Sequence, residues 1–331
     1  MPVRDPVSVP ADPDIDTLID ELRTPRDFVR WGASRFNEAE IHFGHGTDNA
    51  VDEANVLVLH ALHLPPGLPD ELMRANLTRD ERRAVVRLLQ RRMDERLPAP
   101  YLTHEAWFAG LSFYVDERVL VPRSLLGEVI EQGFSPWLDA VDVNRVLDLG
   151  TGSGCIAIAC ALAFPGATVD AVDVSAEALE VARINLERHG VADRVGLVRS
   201  DLFASLPPER YGLIVSNPPY VDAEELGRMP PEYGREPHVG LAAGADGLDV
   251  VRRILAGAAD WLTRDGVLVV EVGASRPALE QAYPEVPFTW LELERGPDEV
   301  FLLTARDLRA LAGGASRSGG TPGKPGRRGG R

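Results

Sequence analysis

The chain predicts an α/β fold, a Rossmann-like, mostly parallel doubly wound sheet preceded by a small helical domain. Three observations predict it. Apolar strand-like runs alternate with helix-like runs from residue 124 onward, the pattern of parallel strands joined by crossover helices. A glycine-rich turn follows the first of those strands directly. A proline-rich break near residue 100 separates this pattern from a helical one over residues 17–97.

The elements follow in order. Residues 1–16 are acidic and proline-rich where a signal peptide needs a basic and then an apolar run, so they read as a flexible start and export is not expected. Thr24-Pro25 is an N-cap followed by proline at the first helical position, opening a helix to about Asn37. A Gly/His/Asp loop, His42 to Asn49, leads to a second helix from Val51 to His60. Thr78 to Arg96 is a charged helix whose Leu88, Leu89 and Met93 can form an apolar stripe. Leu97-Pro98-Ala99-Pro100 reads as a hinge. Residues 98–123 then form a connector with a β-hairpin around Ala109-Gly110.

The catalytic domain is expected over residues 124–308. Its strands are Arg145–Leu149, Thr168–Asp173, Val195–Arg199, Tyr211–Val215 and Gly266–Val272. Phe288–Leu293 and Val300–Thr304, joined by Gly296-Pro297-Asp298, predict an antiparallel hairpin closing the sheet. A long irregular stretch, Val221 to Asp246, exceeds an ordinary connection and reads as a lid or substrate wall. Residues 309–331 read as a disordered, basic Gly/Pro-rich tail.

Composition excludes several functions. Net charge is −16, and the segment from Gly313 holds five basic residues and no acids, leaving −21 for the rest. Such a balance disfavours a surface that grips nucleic acid, although the tail allows weak contacts; it suits a basic protein partner. No apolar run reaches the roughly 18 residues of a membrane span, so a cytoplasmic protein without membrane contact is expected. Cys155 and Cys160 read as small buried filler, and the seven histidines show no metal-ligand spacing, so no metal is expected.

The chemistry-bearing residues lie at strand tips. Gly150, Thr151, Gly152, Ser153 and Gly154 give G-x-G-x-G, which lets backbone approach a ligand closely. Asp148 just before them is awkward for pyrophosphate and natural beside a cation; S-adenosylmethionine carries a sulfonium and an ammonium and no phosphate. Asp173 ends the next strand, placed to accept ribose hydroxyls; its alternative is a helix N-cap, for which Ser175 already serves. Asp201 is positioned to accept from an adenine amine, with Leu202 and Phe203 as apolar cover. Asn217, Pro218, Pro219 and Tyr220 stop their strand abruptly and leave a stiff group of acceptors beside an aromatic face. That group suits a planar –NH2, and its alternative is a proline-terminated edge strand.

Val146 to Gly154, Asp173, Ser200-Asp201 and Ser216 to Tyr220 together resemble the class I S-adenosylmethionine-dependent methyltransferases of the protein-glutamine type, the HemK/Prm group. The resemblance runs from about Thr17 to Leu308. Arg30 to Phe36, Gly44 to Asn49, Tyr101 to Phe108, Glu232-Tyr233, Glu236-Pro237 and Asp246 to Leu248 look like the branch that modifies a glutamine of large-subunit ribosomal protein L-three. The release-factor branch usually has Trp where this chain has Leu202. The resemblance implies S-adenosyl-L-methionine as cofactor, bound by Gly150 to Gly154, Asp173, Asp201, Leu202 and Asn217. It implies Asn217, Pro218 and Tyr220 as catalytic residues, with Pro219 completing the glutamine pocket, and residues 17–97 as a substrate-recognition domain. A basic large-subunit ribosomal protein is the implied substrate. A release-factor glutamine, or an exocyclic amine of a nucleic-acid base, remains open as an alternative.

Overall fold

The computed structural model describes residues 15–138 and 143–315. The expected flexible start and the greater part of the expected tail lie outside those residues. Two compact units emerge among the described residues: 15–107, 112–123 and 229–237 in the first, 108–111, 124–138, 143–228 and 238–315 in the second.

The first unit is built on helices. Pro25–Glu38 carries the expected cap in full, with Thr24 accepting from Asp27 N while Asp27 bonds back to Thr24 N, a reciprocal capping box. Ala50–Ala61 is capped by Asn49 and Arg79–Asp94 by Thr78. Their apolar faces meet: Phe28, Phe36, Leu57, Val58, Val85 and Leu89 are all fully buried. Three expectations need correction here. The hinge over residues 97–100 is instead the start of a short helix, Ala99–Thr103, whose five residues are all buried. Proline is tolerated in a first turn, where its missing N–H costs nothing. The first helix begins at Ile15, so residues 15 and 16, expected within the flexible start, are helical. The irregular stretch after Tyr220 also divides, because residues 229–237 cluster with the helical unit and the remainder with the sheet.

β1 (Ala106–Phe108) and β2 (Leu111–Phe113) make the expected hairpin, with Ala109 and Gly110 both at positive φ in its turn. β3 (Arg145–Leu149), β4 (Thr168–Asp173), β5 (Val195–Arg199), β6 (Tyr211–Ser216), β7 (Leu262–Glu271), β8 (Thr289–Trp290) and β9 (Val300–Thr304) form one sheet. Its order is β5-β4-β3-β6-β7-β9-β8. The first five run parallel and β9 pairs antiparallel with both β7 and β8, as the pattern predicts. β8 is shorter than the expected Phe288–Leu293. Phe288 and Trp290 are drawn into a ring cluster with Phe301, centroids 5.0 and 5.8 Å away, and beyond Trp290 only Leu291 N still bonds the partner, to Val300 O. The tail also starts later than expected, since Ala305–Ala315 is a helix with Ala305 and Leu308 buried.

Chain order reverses between β3 and β6. β3 leads outward through β4 and β5 on one side, and the chain then crosses to β6 and β7 on the other. Open α/β sheets bind ligands at the carboxyl ends of the strands beside such a switch point.

Candidate active site

The parallel register aligns the strand tips. Leu149 is level with Val172 and Ser216, and Ser216 is level with Val270. The next residue on each strand therefore gives one row across the sheet: Asp173, Gly150, Asn217 and Glu271, with neighbouring strands about 4.8 Å apart. Three of the four were expected site residues; Glu271 was not.

The glycine loop is tied down on every side. Gly150 N and Thr151 N both donate to Val172 O, at 2.9 and 2.8 Å. Gly152 N donates to Asp173 Oδ2 at 2.9 Å, and the buried Asn185 side chain donates to Ser153 O at 2.8 Å. Gly150 and Gly152 sit at φ +74 and +53, where a Cβ would meet nothing within 4 Å. Open ground over a backbone in the left-handed region is a cradle that only glycine furnishes cheaply.

Three acids lie at these tips without a cationic partner among the described residues. Asp148 is fully buried; its Oδ2 accepts from Thr151 Oγ1 (2.6 Å) and Ala157 N (3.1 Å), and its Oδ1 has no partner. Burial pushes its carboxyl up to about 7. Asp173 accepts from Gly152 N and from Ser175 N at 2.8 Å, and burial raises it as well. Ser175, not Asp173, caps the following helix by accepting from Ala178 N. Glu271 accepts from Ser124 Oγ (2.5 Å) and Leu125 N (2.9 Å), and burial pushes it up to about 7. Hydrogen bonds from neutral groups offset part of the desolvation of a buried carboxylate, and a nearby positive charge offsets more.

Ser216 is fully buried and donates to Leu149 O at 2.7 Å, locking β6 to β3 just before the Asn-Pro-Pro-Tyr turn. Asn217 Oδ1 is a buried acceptor with no partner among the described residues. Pro218 is buried, while Pro219 and Tyr220 are half-buried. Tyr220 is pinned from behind. Its carbonyl accepts from Ser275 Oγ at 2.8 Å, and a Cβ on Gly273 would lie 2.4 Å from its ring. A Cβ on Gly247 would lie 2.3 Å from that same carbonyl oxygen. Of these supports, Gly273 and Ser275 carry no local motif.

The expected adenine side is less uniform. Asp201 is exposed and paired with Arg253 at 2.8 Å. Leu202 is half-buried at φ +50, a left-handed conformation that is an outlier for a large side chain and collects at functional sites. Phe203 stacks on Trp261, with centroids 5.9 Å apart, and fills the notch over Gly257; it belongs to the helix-side core rather than to a ring cover. Cys155 and Cys160 are buried, and burial raises both thiols, Cys155 to about 12, as expected of inert filler.

Fold and strand-tip row together define a methyltransferase of the Rossmann-like class, and residues 132–229 match the methyltransferase small domain. A ribosomal protein uL3 glutamine methyltransferase of Bordetella pertussis is 51% identical over 289 residues, covering 87% of this chain and 97% of its own. One from Neisseria gonorrhoeae is 53% identical, covering 87% and 96%. The chain belongs to the ribosomal protein uL3 glutamine methyltransferase family. A solved methyltransferase from Pyrococcus furiosus covers 59% of this chain and 89% of its own at 18% identity and TM-score 0.42. No described helix is long and apolar enough to cross a membrane.

Proposed function

We propose that the protein transfers a methyl group from S-adenosyl-L-methionine to the side-chain amide nitrogen of a glutamine in large-subunit ribosomal protein uL3. The unpartnered Asn217 Oδ1 at the tip of β6, in one row with the glycine cradle, carries this reading. Unpaired acids in that row suit a cationic cofactor without phosphate, and Asp148 Oδ1 and the open face of Gly150 and Gly152 supply an acceptor and space for it. Gly150 to Gly154 would hold its methionine part, Asp173 the ribose, and Leu202, with Asp201 at the rim, the adenine. The cofactor supplies an electrophilic methyl.

The chain's own residues must make an amide nitrogen reactive. That lone pair is delocalised into the carbonyl and is a poor nucleophile. Asn217 Oδ1 and the Pro218 carbonyl each accept one N–H of the incoming –NH2, fixing the nitrogen's position and favouring its pyramidal form. As positive charge grows on nitrogen, both acceptors strengthen their hold, so the stabilisation is greater in the transition state than in the ground state. Orientation of this kind is worth on the order of several kcal/mol. Pro219 stiffens the turn, and Tyr220 offers a face to the amide plane while Ser275 and Gly273 keep it in place. No strong base is needed, because an alkylated amide nitrogen sheds its proton readily.

Residues 17–97 are assigned to substrate recognition and residues 124–308 to catalysis. The relatives' names favour uL3 over a release factor, and the acidic chain favours either over a nucleic-acid base. Incubation with labelled cofactor and, separately, uL3, release factors and nucleic acid tests the assignment. Label on uL3 alone is expected; label on a release factor or a base instead would refute it.

A further inference from the structure

The first unit contains a cavity of about 230 Å³ whose whole lining comes from that unit's own residues. This is below the roughly 300–1,000 Å³ of a small-molecule site, so it has room for one or two side chains rather than a cofactor. Val56, Leu59, Leu64 and Trp107 give it an apolar wall. Three of these reach the surface: Trp107 is 61% exposed, Val56 42% and Leu64 37%. Large apolar side chains gathered around a concave opening mark an interaction site more often than chance exposure.

A second observation points the same way. His45, which lines the cavity, is only 2% exposed, yet its Nδ1 has no hydrogen-bond partner among the described residues. Its Nε2 lies 3.4 Å from Glu236 Oε2, and its ring packs on Tyr233 at 4.6 Å between centroids. A buried polar atom without a partner costs free energy that a ligand group can recover. Glu236 and Tyr233 belong to the segment 229–237, nine residues beyond the Asn-Pro-Pro-Tyr turn at its start, so the cavity wall and that segment are one packed group.

The lining also has a sign. No Lys or Arg contributes to it, Glu105 does, and Asp48 is exposed next to the lining residue Thr47. Partial burial lowers His60 below its ordinary value, which disfavours a positive charge there. A basic partner is complementary to such a rim, and proteins that bind RNA backbone are basic.

We infer that this cavity is a docking site for an apolar side chain of the ribosomal protein substrate, flanked by basic residues and separate from the glutamine that reacts. The docked segment's backbone amide meets His45 Nδ1. The inference rests on uL3 being the substrate. Its test is the dissociation constant of purified, RNA-free uL3 measured by fluorescence anisotropy for the full chain and for Trp107→Ala and Val56→Arg. Both positions are exposed, and unchanged melting temperature and cofactor affinity check that the fold is intact. Binding at least tenfold weaker in both variants is expected, with Val56→Arg the weaker because it adds a like charge. Affinities within twofold of the parent would overturn the docking site, as would a changed oligomeric state with uL3 affinity intact, which would give the cavity to a second copy. Failure of the parent to bind uL3 would overturn it too. A parent that binds through the cavity but transfers no methyl would instead refute the proposed function and leave the docking site standing.

Discussion

Buried carboxylates have opposite partners in the two units. In the helical unit each is met by a guanidinium: Glu53 by Arg92 at 2.5 Å, Glu232 by Arg96 at 3.0 Å, Glu236 by Arg123 at 2.6 Å. At the strand tips of the sheet unit, Asp148, Asp173 and Glu271 have only hydroxyls and backbone N–H groups. The consequence shows in their protonation. Glu236, despite burial, is held down to about 2 by His45 and Arg123, whereas burial raises Asp148 and Glu271 to about 7. A charge that is paired within the protein serves architecture, because it fixes one segment against another. A buried acid left without a cation is a cost the fold sustains alone, and such groups gather where a ligand brings the missing charge.

The largest effect should come from breaking a pair in the first unit. Arg92 is fully buried, donating to Glu53 Oε1 and to His42 O. Arg92→Met leaves Glu53 buried without its cation and should cost about 3–5 kcal/mol in urea denaturation. A loss below about 1 kcal/mol would mean that the network is ornamental to stability.

The second test uses the opposite sign at Glu271. Its folded pKa lies above its unfolded value of 4.5, so between about pH 4.5 and 7 the folded state holds the extra proton and stability falls as pH rises. Glu271→Gln removes that loss and should be more stable than the parent at pH 8, by about 3 kcal/mol at most, and nearly equal to it at pH 4. Glu236 behaves in reverse: its depressed pKa contributes stability above about pH 4.5 that is lost as pH falls toward 2. Denaturation midpoints of Glu236→Gln and Glu271→Gln across pH should therefore diverge in opposite directions; parallel curves would erase the contrast.

Cofactor affinity sharpens the same contrast. If Asp148 ionises when a cationic cofactor binds, affinity should rise from pH 6 to pH 8 by up to about tenfold, one pKa unit's worth. Asp148→Asn should bind more weakly and without that slope in calorimetry. A comparable effect is expected from Gly273→Ala. Its φ of +50 and the 2.4 Å approach to the Tyr220 ring should cost about 1–2 kcal/mol of stability and tenfold or more in turnover. Normal turnover would show that Tyr220 need not be held where it is.

What was legible in the chain was local. The Gly150 to Gly154 turn, Asp173 and Asn217 to Tyr220 announce themselves because short-range backbone chemistry dictates them, and the register then brings them into one row. The N-cap at Thr24 was readable for the same reason. Glu271 was hidden because it ends an apolar strand like any other, and only its level with Asn217 gives it meaning. Gly273, Ser275 and Asn185 act across long separations and carry no motif. The division of the stretch after Tyr220 was equally illegible, since Glu236 meets Val121 N and Arg123 more than a hundred positions earlier. The Ala99–Thr103 helix was missed because two prolines signal a break unless they fall in a first turn.

The row at the strand tips predicts that one acceptor, Asn217 Oδ1, holds the amide that reacts. Mass mapping of uL3 after incubation with the parent and with Asn217→Ala tests this most directly, with cofactor affinity measured alongside. The parent should place one methyl on a glutamine side chain, and Asn217→Ala should bind cofactor within about tenfold while transferring at least 10²–10³-fold more slowly. Methylated glutamine at the parent's rate from Asn217→Ala, or a methyl mapped to any other residue type, would contradict the account.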